Sequence, residues 1–293
     1  MESLERLRRA RHRGSGDPEL EARYRAAVVR RYGGEARALL SSLSAWRGAT
    51  PAARDAAGLS VARALGVRWR RLGEARRCSA MTAPITDRFV HRPTGVVMAL
   101  IPGGWASIGS AEGGAYERPE HRRRLRPFLI AEAPLCAELW SGSSGPAGGE
   151  PATDFCWYEA KVWLTRIGDG LRLPREHEWE YACGGSELQR DVWSRDRGAA
   201  AKRSWIDRAG CRNGFGLLET LGNVWEICED RLLDYRTGEP RSEDRPYRFR
   251  VARGGSWREP HERCTASARR EVSARCRASD IGARFARSLP EAL

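Results

Sequence analysis

Residues 222–230 read Gly-Asn-Val-Trp-Glu-Ile-Cys-Glu-Asp, and residues 253–257 read Arg-Gly-Gly-Ser-Trp. Each stretch sets a tryptophan among glycines and charged residues. Trp225 and Trp257 each bring a large apolar ring to bury and an indole N–H that needs an acceptor once buried. Gly254 and Gly255 allow backbone conformations and close approaches that a side chain forbids. Such residues suit a fold whose loops are tied down by a few large anchors.

The sequence around these stretches has the same texture. From His91 onward, short apolar runs alternate with Gly, Pro and Asp. Val96–Ile101 is a buried-strand candidate closed by Pro102-Gly103-Gly104, and Phe128-Leu129-Ile130 is another. Tyr158–Ile167 is expected to be helical, with Ala160, Trp163, Leu164 and Ile167 on one face. Arg175–Cys183 gives a second helix, and Leu173-Pro174 ends an extended segment just before it. Most of the rest reads as loop.

Residues 1–80 differ. Asp17-Pro18 and Thr50-Pro51 each place a capping side chain before a proline at the first helical position, where its missing N–H costs nothing. Glu19–Tyr32 runs helically to Gly33-Gly34. Leu39, Leu40, Leu43 and Trp46 form a second apolar stripe ending near Gly48. Ala57, Val61, Leu65 and Val67 form a third, and Trp69 and Leu72 a fourth. The expected organisation is a basic helical module over 1–80, a linker over 81–90 and a second domain over 91–293.

The net charge is +13. Residues 1–80 hold 18 arginines against 8 acidic residues, so most of the excess is N-terminal. That excess reads either as a surface for nucleic acid, an acidic partner or anionic lipid, or as solvated helix faces. No recognition helix or aromatic-stacking pattern accompanies it, which favours the second reading. No apolar run approaches the roughly 18 residues of a membrane span, and Met1–Arg9 lacks a signal peptide's apolar stretch, so the expected location is cytoplasmic. The eight cysteines, at 78, 136, 156, 183, 211, 228, 264 and 276, form no Cys-x-x-Cys pair and are expected as buried apolar residues or free thiols.

Six blocks in order resemble the formylglycine-generating-enzyme (sulfatase-modifying factor) family, over roughly 91–293. Ile101-Pro-Gly-Gly104 with Ile108-Gly-Ser110 comes first, then Glu117-Arg-Pro-Glu-His121 with Phe128-Leu-Ile130. Trp157-Tyr-Glu-Ala160, Leu171-Arg-Leu-Pro174 and Glu178-Trp-Glu-Tyr-Ala182 form the central block. Asn213-Gly-Phe-Gly-Leu-Leu-Glu219 leads into Gly222-Asn-Val-Trp-Glu226, and Arg253-Gly-Gly-Ser-Trp257 and Gly282-Ala-Arg-Phe-Ala-Arg287 close the set. The resemblance implies a loop-rich α+β fold of the C-type-lectin type, here preceded by a small all-α module. It also gives Trp157, Trp179, Trp225, Arg253, Gly254, Gly255 and Trp257 a structural role.

The resemblance also frames the chemistry. Formylglycine-forming members hold copper(I) with two cysteines five residues apart, just after Arg-Gly-Gly-Ser; soft thiolates suit that ion. Here the second position is Cys264 and the first is Glu259. A carboxylate does not replace a thiolate in linear copper(I) ligation, so no catalytic residue is assigned. The related sulfoxide synthases hold iron with a His-x3-His-x-Glu motif, yet histidines 12, 91, 121, 177 and 261 include no pair four apart. Copper and iron are therefore not expected. The enzyme alternative is an oxygen-dependent metallo-oxidoreductase using Cys264, His261 and Glu259.

The metal that the resemblance still admits is a structural Ca²⁺, held by the Glu219 side chain together with backbone carbonyls at Gly222, Val224 and Glu226, since hard oxygen ligands suit that ion. Ser141-Gly-Ser-Ser-Gly145 reads as a flexible loop, with no strand before it to make a nucleophile elbow. The leading expectation is a non-catalytic ligand- or protein-recognition protein, an adaptor within a multi-protein system. Its contacts are expected at Arg258, Glu259, His261, Glu262, Arg263 and Arg270. Its expected partner is another protein, met through the loop-rich face or the basic module, ahead of nucleic acid. The scaffold also resembles the variable proteins of diversity-generating retroelements, which present binding residues near the C-terminus.

Overall fold

A computed structural model describes residues 17–74, 86–142, 149–184, 192–205, 212–239 and 248–290, together with Leu7 and Ala10. Cys78, Cys211, residues 81–85 of the expected linker and Ser143-Ser144-Gly145 lie outside the described residues. The N-terminal helices start where their caps predict. The Asp17 carboxylate accepts from the Glu19 and Leu20 amides at 2.9 and 3.3 Å, opening α1 (Pro18–Tyr32). The second apolar stripe is split between α2 (Ala36–Leu40) and α3 (Leu43–Gly48), because Ser42 turns extended and caps the Ala45 amide. Thr50 caps α4 (Pro51–Leu65) through the Ala53 amide at 3.2 Å.

The third and fourth stripes need correction. Gly66, with φ +81°, ends α4 by accepting no further helical turn, and Val67 beyond it is 90% exposed. Trp69 and Leu72 then lie on a strand, β1 (Trp69–Glu74), not a helix. β1 pairs antiparallel with β2 (Asp87–His91), so the boundary expected between residues 80 and 91 is crossed by a β-ladder. Residues 87–90, expected in the linker, are strand because Asp87, Phe89 and His91 alternate inward.

Beyond β2 the order is β3 (Val97–Ile101), β4 (Gly104–Ile108), β5 (His121–Leu125), β6 (Phe128–Ala131), α5 (Ala137–Ser141), α6 (Trp157–Ile167), β7 (Leu171–Arg172) and α7 (Glu176–Cys183). β8 (Trp225–Ile227), β9 (Phe249–Arg253), β10 (Arg269–Ser273), β11 (Ile281–Gly282) and β12 (Ala286–Ser288) complete it, with 3-10 turns at Arg195–Arg197 and His261–Arg263. Three sheets result: an antiparallel one ordered β1-β2-β3-β6-β12-β7, a mixed one ordered β10-β9-β8-β11, and the β4-β5 ribbon. The fold is α+β.

One core joins the helical segment to the large sheet. Leu40, Trp46, Ala57, Val61 and Leu65 are buried in the same cluster as Phe89, Met98, Leu100 and Leu129. Ala160 and Leu164 of α6 join it, with Trp163 and Ile167 packed against its edge, as their spacing predicts. A buried ion cluster fastens the junction: Arg71 on β1 donates to Asp55 on α4 and to Asp87 on β2, each at 2.5 Å. Burial pushes the Asp87 carboxyl up to about 6 against the opposing pull of Arg71. Gly58 makes the cluster fit, because a Cβ there would lie 1.6 Å from the Asp87 carboxylate.

Candidate functional site

The four signature tryptophans are buried or half-buried, and each indole N–H finds an acceptor. Trp157 donates to the Cys228 carbonyl at 3.1 Å and Trp179 to the Glu226 carboxylate at 2.6 Å. Trp225 donates to Glu259 at 3.4 Å and Trp257 to the Ser279 carbonyl at 3.5 Å. Between these anchors runs a guanidinium–carboxylate network. The wholly buried Arg253 ion-pairs with Glu180 and Glu176, and donates to the Ser267 and Ala266 carbonyls at 2.9 and 2.8 Å. Burial pulls its pKa down, but the Glu180 and Glu176 carboxylates outweigh that and leave it raised. Arg269 grips Glu176 at 2.5 and 2.9 Å. Arg284, also fully buried, grips Glu226 at 2.5 and 2.6 Å. An internal ion pair of this kind holds because each charge is both neutralised and hydrogen-bonded.

Gly254 and Gly255, at φ +95° and +81°, carry the chain over this network. A Cβ on Gly254 would meet the Thr220 carbonyl at 2.6 Å, and one on Gly255 the Cys264 sulfur at 2.5 Å. Cys264 is thereby sealed beneath the loop at 3% exposure, its thiol 3.7 Å from the Ser256 carbonyl. Burial, reinforced by the Glu259 carboxylate, pushes that thiol up to about 12. It is a protonated thiol at neutral pH, whereas soft-metal ligation and nucleophilic attack need the thiolate. Cys136, Cys156, Cys183, Cys228 and Cys276 are free too, most of them buried, in keeping with the apolar role expected of them.

The proposed contact residues form one rim. Arg258, Glu262 and Arg263 are exposed; Glu259 and His261 are half-buried. The Arg258 guanidinium lies 4.4 Å over the Trp257 ring. The neighbouring Arg195–Arg197 turn supports the loop: the Arg195 amide donates to the Glu259 carbonyl at 2.9 Å, and the His261 amide to the Asp196 carboxylate at 2.9 Å. The Arg197 guanidinium lies 3.2 Å from His261 Nε2. Arg270, on the adjacent β10, is paired with Asp280 at 3.1 Å and sits over the Trp225 ring. Among the described residues no three His, Cys, Asp or Glu side chains are grouped to hold a metal ion, so Cys264, His261 and Glu259 do not assemble into a ligand set.

The calcium ligands meet a similar obstacle. Glu219 is 3% exposed, with φ +50°, and its carboxylate is held by Arg203 at 2.9 and 3.3 Å. The Glu226 carboxylate is taken by Arg284 and Trp179. Asn223 clamps the segment, its amide bonding both the N–H and the C=O of Arg203 at 3.0 and 3.1 Å. Gly222 and Val224 flank it; the one side-chain ligand expected, the Glu219 carboxylate, already faces a guanidinium, whereas Gly222, Val224 and Glu226 are expected through their backbone carbonyls.

Sequence reasoning missed the buried network. Glu176, Glu178 and Glu180 are all buried on α7, and Glu178 takes Arg172 in a fork at 2.7 and 2.8 Å. The available signal was three glutamates at alternate positions bracketing Trp179 in an arginine-rich chain. Such a set covers more than one face of a helix, so some of it must turn inward.

Comparison with known proteins bears on this arrangement. A family model described as "Sulfatase-modifying factor enzyme 1-like domain" matches residues 141–289. The chain is 26% identical over 227 residues to the serine/threonine-protein kinase pkn1 of Chlamydia pneumoniae, covering 60% of this chain and 36% of the kinase. It is 27% identical over 167 residues to the inactive C-alpha-formylglycine-generating enzyme 2 of Mus musculus, covering 47% of this chain and 50% of that protein. The chain thus spans about a third to a half of the length of these relatives. Among solved structures, Treponema denticola variable protein 1 superposes with a TM-score of 0.55 at 20% identity, covering 76% of this chain and 99% of that one, a likeness of fold.

Proposed function

The chain belongs to the sulfatase-modifying factor family, and on that premise we propose that it is a recognition protein, not an oxidase, built on the formylglycine-generating-enzyme scaffold. One observation carries the reading: the family's metal-binding pair is reduced to Cys264, whose thiol is sealed and protonated, with Glu259 at the other position and turned to Trp225. One relative lends support by its name, an inactive formylglycine-generating enzyme. The rim of Arg258, Glu259, His261, Glu262 and Arg263, with Arg270 beside it, is the contact surface. It presents mixed charge on a loop held rigidly by Trp225, Trp257 and the Arg195–Arg197 turn, which suits a protein partner of mixed surface charge.

Two measurements test this. Purified protein titrated anaerobically with Cu(I) and then given oxygen and a cysteine-containing peptide should consume no oxygen; turnover with bound copper overturns the reading in favour of the oxidoreductase. Photocrosslinkers placed at 258 and 263 of the full chain should capture a partner that a crosslinker at the 90% exposed Val67 does not. Equal capture from all three positions removes the rim as the contact surface.

A further inference from the structure

A cavity of about 730 Å³ opens well away from the Cys264 loop, between β2, β3, β6 and the N-terminal end of α5. Its volume falls within the range of small-molecule sites. Its wall is apolar, with Val97, Leu135, Leu139, Leu218 and Phe285 contributing. Arg88, Glu132 and Trp205 also line it. Among the described residues, each of these three carries a buried polar atom without a hydrogen-bond partner: Nε of Arg88, Oε1 of Glu132 and Nε1 of Trp205. Glu132 is 6% exposed, and only its other oxygen is bonded, accepting from Arg212 at 2.9 Å. Arg88 Nη1 is 3.6 Å from Oε1, an ion pair too long for a hydrogen bond.

Buried polar atoms in native proteins are nearly always paired, so three orphans gathered at one cavity ask for a missing partner. The orphans are two N–H donors and one carboxylate acceptor. Their complement is a neutral group offering two acceptor lone pairs and at least one proton to donate, as a carboxamide or a hydroxyl does. A carboxylate head would have no proton for Glu132. An ammonium head would have no acceptor for Arg88 or Trp205. We propose that this cavity binds a small molecule with an apolar, aromatic-sized body and a neutral head that both accepts and donates, such as an amide, the head meeting Arg88, Glu132 and Trp205 and the body lying against Leu135, Leu139 and Phe285. The site is independent of the recognition rim, and neither reading depends on the other.

The test uses the full chain and three probes of one shape: 3-phenylpropanamide, 3-phenylpropanoate and 3-phenylpropylamine. Binding is read by calorimetry and by the indole N–H resonance of Trp205, assigned through Trp205→Phe. The amide should bind at least about tenfold tighter than either charged probe and move the Trp205 resonance. Glu132→Gln should weaken the amide, and Leu139→Trp, which fills the cavity, should abolish binding with the circular dichroism spectrum unchanged. If no probe binds at millimolar concentration, if the three heads bind alike, or if Leu139→Trp binds as the native chain does, the proposal fails.

Discussion

At the scale of single residues, the decisive fact is what faces each charged or reactive group. Cys264 sits where a copper ligand would be expected, yet burial and Glu259 hold its proton in place. Peptide mapping should therefore find Cys264 resistant to iodoacetamide at pH 8, and Glu259→Gln should speed its labelling at higher pH, because removing a negative neighbour lowers a thiol pKa. Labelling of native Cys264 at the rate of a free thiol would contradict this. Glu219 and Arg203 give a second prediction. Thermal unfolding should be unchanged by Ca²⁺ or by a chelator, since a guanidinium already neutralises the carboxylate. Arg203→Ala, by contrast, strands a buried charge and should cost about 3–5 kcal/mol, with Arg203→Ala/Glu219→Gln recovering part of it. A rise in the native Tm with Ca²⁺ would restore the metal reading. The family resemblance identified Cys264, Glu259 and Glu219, but not their partners. Arg203 lies 16 residues from Glu219 in the chain, and only the fold brings the two together.

At the scale of elements, local signals were legible wherever a side chain acts on its own backbone. The caps of α1 and α4 and the inward faces of α6 were readable because the relevant atoms lie within four residues of one another. Thr50→Ala should accordingly cost about 1 kcal/mol, measured by urea unfolding. β1 was misread because Trp69 and Leu72 fit a helical spacing, whereas its conformation is set by the ladder to β2 across an intervening segment. Helix α7 carries a pH prediction. Burial, aided by Arg123 of β5 and the adjacent Arg175, lowers the His177 pKa to about 4, against the opposing pull of Glu178 and Glu176. The folded chain thus holds the imidazole neutral where the unfolded chain would protonate it near 6.5. The unfolded state binds more protons over that window, so stability should fall as pH drops from about 6.5 through about 4. His177→Gln should flatten that part of the stability–pH curve; an unchanged slope would show that other groups set it.

At the scale of the whole molecule, the apolar stripes of the N-terminal helices announced that they pack, but not upon what. A stripe is equally consistent with a self-contained bundle and with a docked layer, since both bury one face. The structure has the second arrangement: Trp46, Val61 and Leu65 share a core with Phe89, Met98 and Leu100, and Arg71 ties α4 to β1 and β2. Backbone bonds add to the join, the Gly103 amide donating to the Leu40 carbonyl at 2.7 Å and the Leu43 amide to the Gly103 carbonyl at 2.9 Å. Removing residues 1–66 would therefore uncover the face of the sheet beneath α4 and leave Asp87 with one fewer acidic neighbour and no helix over it. The truncated chain should lose its cooperative thermal transition, and a peptide of residues 17–66 should show little helix alone; mixing the two should recover structure. Two fragments that each melt cooperatively would mean instead that the helical segment is an independent domain. The same reasoning decides how the N-terminal arginines are to be probed. Deleting the segment would confound partner loss with unfolding, so exposed arginines of α1 such as Arg23 and Arg25 should be changed to glutamine in the full chain. Loss of crosslinking at unchanged Tm would then assign them a recognition role, and unchanged crosslinking would leave them as solvated charge.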